Sequence, residues 1–595
     1  MHISVASTLT GLAIGTLVLC ANFQFGLQTG WVSMMAMPAA LISFAAYRLV
    51  GQTLSIEENV YTQSIAVAVG TGPLTFGLVG AIPAVEKLLT WNEGRTVLSL
   101  GQLMIWSLGI NFIGIFMAKI LRYSIIEVEK LRFPSGSATA ALVGVLHHKQ
   151  IQYTEDNQLE LVEDRNQSPE QLLKWYRLNI NTLNWSFLVS SIYTAISLRV
   201  PRIRELPVFG RTAANAMWVF DPSPAYIGQG LIMGLPTTFS MLLGAVLGWG
   251  VLAPLAAHNG WTTGPIGDWK TGGQGWIMWV SLAIMIADSL VGLAVLCWEV
   301  TRDALVPSEY SALESAVDPP DEEDHIEETE NRRIYLFGLA LSCLLCIGIT
   351  KVLFPGTPVV ALVVATLVAP LLTVLGIRAL GETDLNPVSS IAKLTQLLFS
   401  ILLRSNPQAV LISVICGAIT EAGAQQGGDL MQSFKTSHLL GAPALPQLLG
   451  MLVGSCWSVV ASAIVYKLYT NTYEIPGEQY RIPTAFIWAD CARLVLGDGL
   501  PAGVPECSLI FGAIFVVIAL IKLKTKNPWV PSGIAVGVGM YSIPSFTLAR
   551  FVGGVASAVI AHYSTGSDVR AVIGSSGLIL GEGVMSVIAL LWAVR

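Results

Sequence analysis

The sequence predicts an all-α integral membrane protein, a polytopic bundle of about 14–16 transmembrane helices that includes broken or re-entrant helices. Three observations predict this fold class. Hydrophobic residues make up 53% of the 595 residues and charged residues only 12%, about half the charged fraction of soluble domains. The apolar residues form runs of about 20, which suffice to cross a bilayer as helix. The 56 glycines and 29 prolines suit closely packed and interrupted membrane helices.

The apolar runs predict spans on both sides of a hydrophilic segment. In the first part they lie near 8–29, 32–50, 60–85, 98–122, 134–148, 178–199, 226–256 and 276–299. In the second part they lie near 334–353, 357–380, 387–404, 407–424, 444–466, 504–523, 529–546, 547–562 and 571–593. Some runs are short or interrupted, so we expect half-helices or re-entrant segments among them. The first run lacks a cleavage motif and is interpreted as a span, not a signal peptide.

The hydrophilic segment, residues 300–333, separates two predicted transmembrane repeats, 1–299 and 334–595. It contains eight acids within DPPDEEDHIEETE at 318–330, a composition typical of a solvated linker loop. No basic face that would bind nucleic acid is present. Basic residues cluster in short loops that share one side of the membrane if the N-terminus is cytosolic, so the positive-inside rule predicts that orientation.

Two short motifs recur in the same order in both halves. FPSGSA at 133–138 recurs as VPSGIA at 530–535, and ENVYTQSIA at 58–66 resembles DLNPVSSIA at 384–392. Both PSG copies follow basic loops, which favours parallel repeats. Duplication explains this order, although chance similarity between short segments is the alternative.

The PSG motifs are candidate substrate-binding sites at helix starts. Proline suits the first helical turn, and the free amides there attract anions. We therefore include Ser135, Gly136, Ser532 and Gly533 among the candidate residues. The alternative is that PSG simply begins a span after a loop.

Acids within or beside apolar runs are candidates for proton coupling. Because burial disfavours the charged carboxylate, such acids can exchange a proton near neutral pH. The candidates are Glu58, Asp288, Asp384, Glu421 and Glu582. The alternatives are pairing with a base or placement at the membrane interface.

Amide side chains near the spans are candidates for recognising peptide-like groups, because buried amides need hydrogen-bond partners. The candidates are Asn22, Gln28, Gln63 and Asn386, each of which could instead bond one helix to another. The basic residues Lys393, Arg404 and Arg550 could balance acids or hold anionic substrates, but we favour extension of their side chains to the interface.

Several function classes lack the motifs they require. The sequence has no phosphate-binding GxxxxGK[ST] loop, so ATP-driven transport is not supported. It also has no cluster of His, Asp and Glu residues that could form a catalytic site, so we do not expect an enzyme. A channel would show a ring of charged residues lining the pore or a repeated selectivity loop, and the sequence shows neither. We expect no resident cofactor or protein-bound metal, with protons as the driving ion and any metal carried as part of the substrate.

Five motifs in order resemble the oligopeptide-transporter family. They are FGLQTGW at 25–31, RFPSGSATA at 132–140, TDLNP at 383–387, VPSG at 530–533 and SGLILGEG at 576–583. The resemblance implies about 16 helices and proton-coupled symport of small peptides or metal chelates. The chain lacks an NPGPFN-type motif and looks more like the yellow-stripe-like branch, which moves metal chelates.

The resemblance places the chain in a lipid bilayer, in either the plasma membrane or an internal (vacuolar) membrane. Its expected partners are a small peptide or metal-chelate substrate and protons, and its oligomeric state is left open. The alternative functions are transport of another amphoteric solute and, less favoured, a channel.

Overall fold

Helices make up most of the computed structural model. It describes all residues except 1–3, 132, 148–149, 154–158, 163–168, 269–270, 306–321, 384–385, 387, 497–500, 526, 564–567 and 594–595. One antiparallel hairpin, β1 (Gln150–Tyr153) and β2 (Leu159–Val162), interrupts the helices of the described part.

The helices of the first part are α1 (Val5–Thr29), α2 (Ala36–Leu49), α3 (Ile56–Gly70), α4 (Gly72–Thr75), α5 (Ala81–Pro83), α6 (Leu100–Ile110), α7 (Ile113–Arg122), α8 (Pro134–Leu146), α9 (Pro169–Arg199), α10 (Arg211–Asn215), α11 (Pro224–Ala245), α12 (Ala253–His258) and α13 (Gly273–Leu305). Wider π-helical turns cover Ala84–Leu88, Tyr123–Val128 and Val246–Leu252, and a 3-10 turn covers Pro201–Arg204.

The helices of the second part are α14 (Glu322–Leu353), α15 (Val359–Thr383), α16 (Val388–Leu402), α17 (Ala409–Leu439), α18 (Ala444–Thr472), α19 (Pro483–Leu496), α20 (Val504–Thr525), α21 (Gly533–Tyr541), α22 (Pro544–Tyr563) and α23 (Asp568–Ala593).

Ten helical segments in the described part are long and apolar enough to cross a membrane, which confirms the all-α polytopic membrane fold. Other predicted crossings fall on shorter helices such as α2 and α16. On α20, Leu509 and Val517 are exposed, as expected for a helix that faces lipid. In contrast, the whole candidate span of α17 is buried by the surrounding helices.

Helices from the two predicted halves pack against each other throughout. The largest contacts include α11 with α22, α9 with α23, and α3 with α18. Helix α17 lies among α7, α8, α15, α16 and α18. The core is therefore shared between the halves, while their origin by duplication stays a prediction.

Helices extend from both sides into the predicted linker of residues 300–333, and its role as the boundary between two repeats stays a prediction. Helix α13 extends to Leu305 and α14 begins at Glu322, so only residues 306–321 lie between them. Acids in the first turns of a helix are favoured by its dipole, which explains why the acidic run at the start of α14 is compatible with helix.

A glycine allows α7 to approach the backbone of α17. A Cβ on Gly114 would overlap the carbonyl oxygen of Gly423 and crowd the amide of Gly427. We expect Gly114→Ala to destabilise the protein by about 1–3 kcal/mol, because neither backbone can yield. Gly348→Ala, at a helical glycine with open space around it, is the matched control and should retain the wild-type melting temperature in detergent.

Candidate functional site

Helix α17 carries a polar stripe through the interior of the protein. All residues from Ala409 to Ser437 are buried, and Glu421, Gln425 and Asp429 follow one another at four-residue spacing. Side chains four residues apart lie on the same helix face. The sequence of this helix therefore places two carboxyl groups and an amide on one enclosed face.

The two acids of this stripe are incompletely hydrogen-bonded. The Gln425 Nε2 donates to Asp429 Oδ1 at 2.8 Å. Asp429 Oδ2 and Glu421 Oε1 have no hydrogen-bond partner among the described residues. Buried Lys393 on α16 interacts electrostatically with Glu421. Buried polar groups without partners are costly, so these carboxyl groups are candidates for binding a proton or a polar ligand.

A break between α6 and α7 adds an amide to the same region. Asn111 follows the last residue of α6, and its Oδ1 accepts from Gln426 Nε2 at 2.6 Å. Asn111 Nδ2 and Gln426 Oε1 remain without partners among the described residues. The Asn111 amide therefore has a free donor and the neighbouring Gln426 amide has a free acceptor. A peptide group could hydrogen-bond to both, because it carries one acceptor and one donor.

Two of the predicted substrate-binding residues, Asn386 and Gly136, also pack against α17. Asn386 lies against Gly428, where an added Cβ would come within 2.7 Å of Asn386 Nδ2, and its buried Oδ1 is unpartnered. Gly136 packs on Gln432, and the Thr436 hydroxyl donates to the Gly136 carbonyl oxygen at 2.9 Å. Hereafter the central cluster comprises Asn111, Asn386, Glu421, Gln425, Gln426 and Asp429.

The first PSG motif begins a helix, as its sequence predicts, because α8 starts at Pro134. Its glycine serves the close approach of α8 to α17, while Ser135 is half-buried.

A second polar cluster surrounds Tyr226 on α11. The Tyr226 hydroxyl donates to Gln28 Oε1 at 2.8 Å, and the Arg550 guanidinium lies 5.0 Å from the Tyr226 ring centroid. This Tyr226 cluster joins α1, α11, α22 and α23, so it also combines both halves of the chain. Its members are Gln28, Thr29, Tyr226, Gln229, Arg550 and Glu582.

Within this cluster, Glu582 binds the start of α11. Its carboxylate accepts from the Ser223 hydroxyl at 2.6 Å and from the Ala225 amide at 3.0 Å. Arg204 Nη2 lies 3.4 Å from Glu582 Oε1. A carboxylate at a helix N-terminus is stabilised by the free amides and the dipole. The structure therefore shows Glu582 as an interhelical anchor, and its predicted proton role stays a prediction.

Two of the three basic residues do not reach the interface. Arg550 and Lys393 are buried, so the expectation that they extend to the interface is wrong, whereas Arg404 is exposed as expected. The reason is local packing: α22 lies against α11, where Gly230 directly contacts the Arg550 backbone.

The second PSG motif lies in contact with Asp288, one of the acids predicted to couple protons. The Ile534 amide in the first turn of α21 donates to Asp288 Oδ2 at 3.1 Å, and Gly533 packs on the Asp288 side chain. Ser532 precedes this helix as its cap residue. The anion that this helix start binds is thus the chain's own carboxylate.

We expect Asp288→Ala to lower stability by about 1 kcal/mol, because the first turn of α21 loses its acceptor. Asp288→Asn keeps an acceptor oxygen and should be closer to wild type in melting temperature. Equal losses from both substitutions would argue against this capping role.

The other predicted residues lie on or near α1 and α3. Asn22 Nδ2 donates to the carbonyls of Ser33 at 2.8 Å and Gly70 at 2.7 Å, so Asn22 ties α1 to the end of α3. Gln63 is buried on α3 with Oε1 unpartnered. Glu58 forms a capping box with Ser55 at the start of α3.

Asp384 lies outside the described residues. In the part of the chain that is described, no group of three His, Cys, Asp or Glu could hold a metal ion.

Sequence reasoning missed Asp429, Asn111, Tyr226 and Gln229. The signal for Asp429 is readable, because Glu421, Gln425 and Asp429 repeat every four residues. It was missed because the predicted span ended at residue 424, whereas α17 continues to Leu439. The other three depend on contacts between distant helices, which no local pattern reveals.

Comparisons with known proteins agree over the whole chain. A family model described as "OPT oligopeptide transporter protein" matches residues 2–593. The Saccharomyces cerevisiae protein "Putative oligopeptide transporter YGL114W" is 43% identical, over 99% of this chain and 96% of that protein. "Metal-nicotianamine transporter YSL2" of Arabidopsis thaliana is 24% identical, over 98% of this chain and 92% of that protein.

"Probable metal-nicotianamine transporter YSL14" of Oryza sativa is likewise 24% identical, over 98% of this chain and 83% of that protein. These relatives are named transporters, which supports the expectation that the chain is not an enzyme. The family match, the 43% identity and the polytopic helical fold lead to one conclusion: the chain belongs to the OPT oligopeptide transporter family.

Proposed function

We propose that this transporter is a secondary active symporter that couples proton movement to the uptake of small oligopeptides or peptide-like metal chelates. The observation that carries the proposal is the enclosed polar face of α17, where Glu421 and Asp429 each retain an unpartnered carboxyl oxygen. Ionisable groups within membrane segments are rare and are characteristic of ion pathways and proton relays.

Protonation would change the hydrogen bonding of this face as well as its charge. When Asp429 is ionised, its two oxygens can act only as acceptors, and Gln425 donates to one of them. A proton on Asp429 removes the charge and adds a donor. The amides of the central cluster could then exchange partners with a ligand, so proton binding and substrate binding would depend on the same residues.

The chemistry of the central cluster suits an amide-rich solute. Asn111 and Gln426 offer one free donor and one free acceptor, and Asn386 offers a further acceptor. A peptide group presents the complementary acceptor and donor. The names of the relatives, which include an oligopeptide transporter and metal-nicotianamine transporters, support the same substrate class.

We further propose a cytosolic N-terminus, on the basis of basic residues in the short loops, and a location in the plasma membrane or an internal (vacuolar) membrane.

The test is uptake into proteoliposomes under an imposed pH gradient, with labelled tetrapeptide, glutathione and Fe–nicotianamine supplied separately. We expect accumulation of at least one of them when the outside is acidic, and collapse of that accumulation with a protonophore. Uptake that ignores the gradient would contradict proton coupling. Failure to transport all three would contradict the substrate class.

A further inference from the structure

Arg550 is a basic residue inside the bundle that forms no ion pair with an acid in the described part of the chain. Its side chain is buried, with 1% of its surface exposed. Among the residues that the structure describes, Asp and Glu form ion pairs with other cations and none with Arg550. An isolated charge in a membrane interior is strongly disfavoured, and charged residues retained there are typical of ligand pathways.

The neighbours of Arg550 fix its orientation without neutralising it. Its Nε donates to Gln229 Oε1 at 2.9 Å, and its Nη2 donates to Thr29 Oγ1 at 3.2 Å. The ring of Tyr226 contributes a favourable cation–π contact on one face. All three neighbours are neutral, so none of them supplies a negative charge to the guanidinium.

Two donors at this place remain unsatisfied. Arg550 Nη1 and Gln229 Nε2 have no hydrogen-bond partner in the described part of the chain. The two donors belong to side chains that are hydrogen-bonded to each other, through Arg550 Nε and Gln229 Oε1. Thr547, one turn before Arg550 on α22, is also buried with an unpartnered hydroxyl. An anion with acceptor oxygens would supply both the missing acceptors and the missing negative charge.

We propose that Arg550 and Gln229 bind a carboxylate of the transported substrate. A carboxylate matches both deficits, since it carries one negative charge and two acceptor oxygens in the plane that a guanidinium recognises. The inference rests on the proposed function in one respect: peptides carry a C-terminal carboxylate, and peptide-like chelators are carboxylates as well. It adds a specific recognition point, separate from the amide groups of the central cluster.

The geometry also connects this carboxylate site to α1. Thr29 holds Arg550, and the adjacent Gln28 holds the Tyr226 hydroxyl. A shift of α1 would therefore disturb both supports of the guanidinium at once.

The test is equilibrium binding of a labelled tetrapeptide and its C-terminal amide to purified protein in detergent, without any gradient. Wild type should bind the acid more tightly than the amide. Arg550→Gln should lower the ratio of acid affinity to amide affinity at least about 30-fold. Arg550→Lys keeps the charge but not the planar donors, so its preference should be intermediate. Arg404→Gln, at an exposed arginine, should match wild type.

A folding defect would weaken acid and amide alike, so selective loss of the acid preference separates recognition from stability. The proposal is overturned if wild type binds acid and amide equally, if it binds neither, or if Arg550→Gln retains the preference. Proton coupling is judged separately by gradient-driven uptake. A wild type that binds the acid selectively but ignores a pH gradient would contradict the proposed symport and leave the carboxylate site standing.

Discussion

Asp429→Asn is expected to abolish accumulation of substrate driven by a pH gradient while allowing downhill flux to persist. The substitution keeps the size of the side chain and an acceptor for Gln425, but it removes the group that binds a proton. A gradient of one pH unit corresponds to about 1.4 kcal/mol per proton, which can support about tenfold accumulation. The variant should lose that accumulation and retain only equilibration, as measured with labelled substrate in proteoliposomes.

Glu421→Gln tests the other acid of α17 in the same assay, and we expect the same class of defect. Glu506→Gln is the matched control, because Glu506 is an exposed acid in the first turn of α20. The proton assignment would be refuted if both α17 variants accumulated substrate as well as this control does. Loss in one variant alone would identify the acid that carries the proton.

Glu582→Ala is expected to destabilise the protein by about 2–3 kcal/mol, since it removes one partner of a largely buried ion pair and strips the start of α11 of its acceptor. The estimate is reduced because the Arg204 side chain is 26% exposed and water can partly replace the lost carboxylate. Glu582→Gln retains acceptor oxygen for Ser223 and Ala225 and should lose less. The free energies of unfolding of the two variants in detergent, compared with that of wild type, measure these losses.

A double-mutant cycle with Arg204→Ala isolates the ion pair from the bonds to α11. If Glu582 mainly anchors α11, most of the loss should remain when Arg204 is already alanine. A loss that disappears in the Arg204→Ala background would instead assign the whole effect to the ion pair. Normal stability of Glu582→Ala would contradict the anchoring role altogether.

Composition and apolar runs predicted the fold class because a chain with few charged residues and long apolar runs must lie in a membrane. In lipid the backbone polar groups must be satisfied within the protein, which leaves few alternatives to helices. The PSG motifs also predicted helix starts correctly, at Pro134 and Gly533. Boundaries were harder where polar residues enter a helix. The second half of α17 contains Asp429 and Lys435, and these read as the end of a span although the helix continues within the protein.

The assignment of individual site residues depended on contacts that local sequence does not encode. Asp288 is predicted to carry a proton because it lies in an apolar run, and this stays a prediction; its contact with the first turn of α21, 246 residues away along the chain, could not be read from the sequence. Arg550 looked like an interface residue, yet packing of α22 on α11 encloses it. In both cases the partner comes from a distant helix.

The most direct test of the central claim is the proton movement that accompanies substrate entry. Proteoliposomes with an entrapped pH dye and no imposed gradient would receive external substrate, with uptake and internal pH recorded together. If the acids of α17 carry the coupled proton, the lumen of wild-type vesicles acidifies in step with uptake, and Asp429→Asn vesicles show no acidification. Uptake by wild type without a change in internal pH would contradict the claim, and so would wild-type acidification in both Asp429→Asn and Glu421→Gln vesicles.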